Sequence, residues 1–201
     1  MNIDSILTTA PVIPVLVLDG SLDPAELAST LVAAGLPVIE VTLRTPGAMA
    51  AVEAMASVPG ALVGAGTVIR TSQLDETLAA GARFIVSPGL TEPLAKAAIA
   101  SGVPFLPGVS TAGDIMRGLD LGLERFKFFP AEAAGGIRAL KALSAPFAGA
   151  RFCPTGGITA ATAHNWLALQ SVACIGGSWV VPGGAGLDVV GELARQAARL
   201  A

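Results

Sequence analysis

The sequence is poor in the residues on which several enzyme classes depend. It contains one histidine, His164, and two cysteines, Cys153 and Cys174. Two cysteines are too few for a disulfide scaffold or a zinc knuckle, and both lie in apolar runs, where a reduced cysteine packs as a small hydrophobic residue. No nucleophile motif accompanies His164, which we expect on the surface of a helix. No ligand cluster indicates a metal site.

Long apolar runs are also absent, although hydrophobic residues make up 53% of the chain. Proline, glycine or a charge interrupts every stretch of about 18 residues that could span a membrane. The first five residues carry an acid and no basic region, unlike a signal peptide. We therefore expect a cytoplasmic protein without membrane association. The net charge of −3, from interspersed acids and bases, provides no basic patch for nucleic acid.

Eight apolar runs recur along the chain, each beginning about 20–25 residues after the last, and helical stretches separate them. The spacing predicts strands at residues 12–18, 37–43, 61–68, 84–87, 103–109, 125–129, 150–154 and 172–179. Strand–helix alternation implies right-handed crossovers and a parallel sheet. Eight units predict an α/β protein, a (β/α)₈ barrel forming a single domain over residues 1–201 with a short N-terminal helix. An open doubly wound sheet is disfavoured because its G-x-G-x-x-G fingerprint is missing after the first strand.

The stretch after the first strand carries clear helix signals. Asp23 is a predicted N-cap, Pro24 suits the first helical position, and Glu26 completes a capping box. Gly35 is the predicted stop of this helix.

A single lysine lies in the aromatic segment RFKFFPAE, residues 125–132. Lysine is almost never fully buried unless it is paired, so Lys127 requires an explanation. Burial disfavours the ammonium form, and the neutral amine is the form that attacks a carbonyl. Two alternatives are structural: Lys127 reaches outward from a strand end, or it forms an ion pair with an acid.

Side-chain alternation assigns polar residues to the interior of the barrel. On the second strand, Glu40, Thr42 and Arg44 share one face, and a Glu40–Arg44 ion pair filling the interior is the structural alternative. On the sixth strand, Lys127 and Phe129 share a face. If Lys127 points inward, it meets Glu40. Imine formation requires an amine and a nearby group that transfers protons, and this pair would provide both.

Glycine pairs end the last two strands, in PTGG at 154–157 and IGGS at 175–178. Backbone N–H groups of glycines can approach a phosphate closely, and the loops after strands 7 and 8 are the usual phosphate site of this barrel. Tight turns use glycine pairs as well. Two pairs at equivalent positions of adjacent units favour the phosphate site. Thr67 adds a hydroxyl near the end of the third strand.

Six segments, in order along most of the chain, carry a family resemblance: EVTLR at 40–44, VGAGT at 63–67, SPGLTEP at 87–93, FKFFPAE at 126–132, RFCPTGGI at 151–158 and CIGGSW at 174–179. With them the sequence resembles the 2-dehydro-3-deoxy-6-phosphogluconate (KDPG) aldolases, which also act as 4-hydroxy-2-oxoglutarate (KHG) aldolases. One departure is Ala134, where the family pattern has asparagine.

The resemblance implies a class I aldolase without metal or cofactor, usually a homotrimer, in the context of the Entner–Doudoroff pathway. It implies that Lys127 is the Schiff-base lysine and Glu40 the general acid/base. The other implied substrate-binding residues are Arg44 and Thr67 for the pyruvate half, Phe129, Thr155 of the gluconate-type loop, and Gly156, Gly157, Gly177 and Ser178 for the phosphate.

The resulting hypothesis is cleavage of KDPG to pyruvate and glyceraldehyde 3-phosphate, together with cleavage of KHG to pyruvate and glyoxylate. Two alternatives stay open at this stage. A phosphate-binding barrel isomerase or epimerase would share the glycine pairs without requiring an imine at Lys127. A non-catalytic protein that binds sugar phosphates would keep the pocket alone.

Overall fold

The computed structural model describes residues 1–200, which form nine helices and nine strands. The helices are α1 Ile3–Leu7, α2 Pro24–Ala33, α3 Ala48–Ala56, α4 Thr71–Ala79, α5 Glu92–Ser101, α6 Ala112–Asp120, α7 Gly136–Ser144, α8 Ala160–Leu167 and α9 Leu187–Ala198. The strands are β1 Val12–Leu16, β2 Val38–Thr42, β3 Leu62–Gly66, β4 Phe84–Val86, β5 Phe105–Leu106, β6 Gly108–Val109, β7 Arg125–Phe128, β8 Arg151–Pro154 and β9 Ile175–Gly177.

All eight predicted strands are present, but each is shorter than predicted and the fifth is divided. Pro107 separates β5 from β6, and it supplies no N–H group to the hydrogen-bond ladder. Its carbonyl oxygen still accepts a hydrogen bond from the backbone N–H of Lys127, at 2.8 Å. The strand predicted over 103–109 is therefore at the correct position, but its hydrogen-bonded pairing with neighbouring strands is interrupted.

The strands form a curled parallel arrangement in an α/β fold, and their pairing divides them into two sheets. One sheet has the order β5-β4-β3-β2-β1-β9, and the other has the order β6-β7-β8. Isolated parallel bridges, Phe152 with Val172 and Thr155 with Gly176, lie between β8 and β9. The expectation of a complete eight-stranded barrel is thus met only in part, because continuous ladders are interrupted at Pro107 and between β8 and β9.

Helix boundaries follow the local signals. The side chain of Asp23 accepts a hydrogen bond from the Glu26 N–H at 2.9 Å, and Pro24 is the first residue of α2. Gly35 follows this helix with φ +93°, a left-handed conformation that favours glycine. The predicted N-cap, first residue and stop of this helix are confirmed. The capping box is not, because among residues 1–200 the Asp23 N–H makes no hydrogen bond to the Glu26 carboxylate. No helix among residues 1–200 combines the length and apolar character needed to cross a membrane.

A small apolar cluster fills the interior of the curled sheet, and α1 contributes to it. Ile6 and Leu7 of α1 pack with inward-facing residues that include Phe84, Cys153 and Cys174. An ion pair between Asp4 and Arg125 joins α1 to the first residue of β7. The predicted short N-terminal helix is confirmed, and it covers the end of the sheet opposite to the strands' carboxyl ends.

The two cysteines are free and buried, as predicted. A hydrogen bond with Cys153, together with burial, raises the pKa of the Cys174 thiol well above its usual value. Cys174 therefore remains a thiol, and both cysteines pack in the interior. His164 lies in α8 and is exposed, which confirms its predicted place.

Candidate active site

A buried ion pair lies between two strands that are far apart in sequence. Lys127 on β7 donates from Nζ to Glu40 on β2, at 2.9 Å to Oε1 and 3.2 Å to Oε2. The two side chains are 5% and 4% exposed. The prediction that Lys127 meets Glu40 is confirmed, and the alternative in which it reaches outward from the strand end is wrong.

Strand alternation explains why Lys127 points inward. Its neighbours Phe126 and Phe128 are fully buried in the outer core, where Phe126 packs against Phe152 and Phe128 against Trp166. Because successive side chains of a strand alternate between faces, two outward phenylalanines fix the lysine on the inner face. An amine and a carboxylate are thereby held together out of water, and a proton can pass between them over a single hydrogen bond.

Arg44 does not share a strand face with Glu40. Strand β2 ends at Thr42, and Arg44 lies exposed in the following turn, where its N–H donates to the Thr42 carbonyl at 2.8 Å. The predicted alternation therefore fails beyond Thr42. A Glu40–Arg44 ion pair filling the interior is also wrong, since Glu40 pairs with Lys127. The Thr42 hydroxyl is occupied by a hydrogen bond to the Leu16 carbonyl at 2.7 Å.

A glycine that the sequence reasoning did not single out makes room for the pair. A β-carbon at Gly66 on β3 would overlap the carboxylate of Glu40, and one at Gly64 would overlap the ring of Phe84. The two glycines are spaced by two residues and so share the inner face of β3. This Gly-x-Gly alternation within a strand was the available signal, because glycine in a strand often marks a close approach.

Thr67 follows Gly66 directly and has φ +61°. A β-branched residue rarely adopts this left-handed conformation, which costs about 1–3 kcal/mol and tends to occur at functional sites. Thr67 is half-buried at the carboxyl end of β3, as predicted.

Phe129 lies just after β7, and its ring centroid is 5.3 Å from Lys127 Nζ. The ring stabilises the nearby cation through its quadrupole. It also lines a cavity of about 320 Å³ at the carboxyl ends of β3, β4 and β6, whose other lining residues include Val68, Pro88 and Ser110. Lys127 is not part of this lining, so Phe129 connects the buried pair with the open cavity.

The two glycine-rich loops lie side by side, as predicted. Thr155 follows β8 and forms a bridge with Gly176 of β9. A β-carbon at Gly176 would overlap the Thr155 side chain, so the close contact requires glycine. Gly156 and Gly157 have φ values of +106° and +80°.

The two residues at the end of β9, Gly177 and Ser178, differ in exposure. Gly177 is buried against the ring of Trp179, which a β-carbon at position 177 would overlap. Ser178 follows β9 and is exposed. The loop after β9 therefore presents Ser178 to solvent beside the Thr155–Gly157 turn.

The glycine loop after β8 rests on the segment that follows the lysine strand. The N–H of Ala131 donates to the Thr155 carbonyl at 2.8 Å, and that of Glu132 donates to the Gly156 carbonyl at 3.0 Å. Ala134, the departure from the family pattern, donates its N–H to the Pro130 carbonyl at 2.7 Å. The Ala134 contact is made by backbone atoms only, so it does not depend on the side chain.

Comparisons with known proteins agree with one another. A family model described as KDPG and KHG aldolase matches residues 3–190. The KHG/KDPG aldolase of Escherichia coli (strain K12) is 53% identical over 199 residues, covering 96% of this chain and 93% of the relative. Two solved structures are also similar.

The first is the KDPG aldolase of Zymomonas mobilis ZM4 with 3-phosphoglycerate, with TM-score 0.97 and 52% identity, covering 99% of this chain and 96% of that one. The second is the KDPG aldolase of Legionella pneumophila with pyruvate captured as a covalent carbinolamine intermediate. It has TM-score 0.95 and 44% identity, and covers 98% of each chain.

Proposed function

Because the chain belongs to the KDPG and KHG aldolase family, we propose that Lys127 forms the Schiff base and that Glu40 moves the protons of this reaction. The protein is a carbon–carbon lyase that cleaves KDPG to pyruvate and glyceraldehyde 3-phosphate. The observation that carries the residue assignment is the buried Lys127–Glu40 pair at 2.9 Å. An isomerase, an epimerase or a simple binding protein would share the glycine loops but would not require an amine that forms an imine.

The first half of the reaction builds the imine. Glu40 accepts a proton from the ammonium group of Lys127, and the neutral amine attacks the C2 keto carbon of the substrate. Glu40 then returns the proton to the carbinolamine hydroxyl, which leaves as water. The carbinolamine captured in the Legionella relative supports this step for the present chain.

The second half breaks the C3–C4 bond. Glu40 accepts the proton of the C4 hydroxyl, the aldehyde leaves, and the protonated imine takes up the electron pair as an enamine. The enamine is protonated at C3, and water hydrolyses the imine to release pyruvate and the free Lys127 amine. The same steps convert KHG to pyruvate and glyoxylate.

The pyruvate half requires a carboxylate ligand, and we assign this role to Arg44. Its exposed guanidinium makes no hydrogen bond or ion pair with residues 1–200, and its planar fork suits a carboxylate. Thr67 directly follows β3 and Phe129 directly follows β7, so both lie at the carboxyl ends of the parallel strands, as Arg44 does. The strained backbone of Thr67 supports a functional role for its hydroxyl.

For the phosphate we assign Thr155, Gly156, Gly157, Gly177 and Ser178. The two left-handed glycines of the β8 loop leave backbone N–H groups accessible to an anion. The 3-phosphoglycerate in the Zymomonas relative supports a phosphate-bearing ligand for this pocket.

We further propose that one domain over residues 1–201 closes as an eight-stranded barrel, with β5 and β6 acting as one strand across Pro107. The bridges between β8 and β9 support this closure. Family membership supports a cytoplasmic homotrimer working in the Entner–Doudoroff pathway. Light scattering on the purified protein tests the trimer.

Borohydride trapping tests the central assignment. Pyruvate with borohydride should leave a stable adduct, and mass mapping should place it on Lys127. The chain contains two other lysines, Lys96 and Lys141, which serve as internal controls. A label on either of them, or no label, would overturn the assignment.

A further inference from the structure

Glu132 makes contacts for which the proposed reaction has no use. Its carboxylate Oε1 accepts a hydrogen bond from the indole Nε1 of Trp166 at 3.1 Å. Trp166 is fully buried in α8, and its ring packs on Phe128 with centroids 6.3 Å apart. A buried indole N–H needs a hydrogen-bond partner, and the Glu132 carboxylate supplies one. The Glu132 side chain is thereby anchored to α8.

Glu132 also packs against the glycine loop that follows β8. A β-carbon at Gly157 would lie 2.8 Å from both Cβ and Cγ of Glu132. The backbone N–H of Glu132 donates to the Gly156 carbonyl at 3.0 Å. Backbone and side chain of one residue therefore contact both glycines that lie in the left-handed region.

We propose that Glu132 is a positioning residue that holds the Gly156–Gly157 loop in the shape that binds the substrate phosphate. The inference rests on the proposed function, which places the phosphate at this loop. Without the anchor at Trp166, the Glu132 side chain is free to move and the glycines gain conformational freedom. Binding a phosphate then requires ordering the loop, which weakens affinity without changing the chemistry at Lys127.

Three single variants, one double variant and a control variant test the proposal on two substrates. Glu132→Ala should raise the KM for KDPG about three- to tenfold, the range expected for one lost hydrogen bond. The KM for KHG, which carries no phosphate, should change less than about twofold, as should kcat on both substrates. Glu132→Gln should restore the KM, because its amide oxygen also accepts the indole hydrogen bond.

Trp166→Phe removes the other partner of the same hydrogen bond. It removes the donor and keeps an aromatic ring, so its effect on the KM for KDPG should match that of Glu132→Ala. The double variant should be no worse than either single one, because both remove one interaction. Glu53→Ala is the matched control, since Glu53 is an exposed acid on α3 that contacts neither loop.

Binding of 3-phosphoglycerate, measured by calorimetry on the same proteins, needs no turnover and separates the two proposals. Equal affinity in the wild type and Glu132→Ala would overturn the positioning role, and so would a Gln variant as impaired as the Ala variant. Weaker binding in Glu132→Ala with recovery in Glu132→Gln supports the role. Absence of borohydride trapping at Lys127 would instead overturn the proposed function.

Discussion

Gly66 lies so close to Glu40 that a β-carbon at position 66 would overlap the carboxylate. The contact fixes Glu40 from the β3 side, and Lys127 fixes it from the β7 side. Glu40 consequently has little freedom to leave the position from which it can exchange a proton with the amine. The lack of a side chain at position 66 therefore helps to determine proton transfer between Glu40 and Lys127.

The first prediction follows from that contact. Gly66→Ala should push the Glu40 carboxylate away from Lys127 and lower kcat by roughly 10²-fold, the cost of a misplacement of about 1 Å at a reacting group. Steady-state kinetics on KDPG measures the loss. Gly113→Ala is the control, because the nearest atom to a β-carbon there is 3.8 Å away. Equal activity of the two variants would contradict the role of Gly66.

Lys127→Arg should abolish cleavage of both KDPG and KHG. A guanidinium group stays protonated in proteins and cannot act as the nucleophile, although it can still pair with Glu40. The variant therefore retains the positive charge and removes the chemistry. Product formation, followed by a coupled pyruvate assay, should fall to background. Retained turnover in a folded Lys127→Arg protein would show that the amine is not required.

Glu40→Gln should lower turnover by roughly 10²- to 10⁴-fold, the usual range for a lost general acid/base. Pyruvate binding should survive better than turnover, because Gln keeps the size of the side chain. Both quantities are measured on the same preparation, together with the melting temperature. Near-normal turnover with a lower melting temperature would instead favour a purely structural Lys127–Glu40 ion pair.

Local signals in the sequence predicted local structure well. Asp23, Pro24 and Gly35 mark the ends of α2 because capping and left-handed glycine depend on neighbouring residues only. The alternation correctly placed Lys127 and its phenylalanine neighbours on opposite faces of the strand for the same reason, but it left the direction of the lysine open. The prediction that Arg44 shares the inner face of β2 with Glu40 failed, because alternation holds only while the strand continues and β2 ends at Thr42.

Contacts between distant segments were less accessible to sequence reasoning. Glu132 and Trp166 are separated by 34 residues, and neither lies in a pattern that indicates their contact. The division of the fifth strand at Pro107 also depends on which neighbours supply the hydrogen bonds. Such pairings follow from tertiary packing, which overrides local preference.

Stability should depend on pH through Asp114. Burial raises the pKa of this carboxyl, but hydrogen bonds from Ser110 and Thr111 and the charge of Arg117 outweigh it, so its pKa lies below the usual 3.8. A carboxyl with a lowered folded pKa stabilises the protein above its unfolded pKa, and the stabilisation is lost as pH falls through the folded value.

Asp114→Ala should therefore lower the free energy of unfolding by about 1 kcal/mol at pH 7, in the range for a helix cap. The difference from wild type should shrink as the pH falls below about 4, where the unfolded carboxyl takes up a proton. Chemical denaturation across this pH range measures it. Asp75→Ala, at an exposed position of α4, is the control. A difference independent of pH would contradict the assignment to the charged carboxylate.

The last prediction concerns Ser178, which is exposed directly after β9 beside the Thr155–Gly176 bridge. If the two glycine loops hold the phosphate, its binding energy helps to position the reacting end. Ser178→Asp places a carboxylate where it repels the phosphate dianion, so cleavage of KDPG should fall strongly. Cleavage of KHG, which has no phosphate, should largely persist because Lys127 and Glu40 are unchanged. Ser178→Ala separates loss of the hydroxyl from repulsion, and circular dichroism verifies folding. Equal losses of kcat/KM on both substrates would remove Ser178 from the phosphate pocket and leave Gly177 as a strand residue that packs against Trp179.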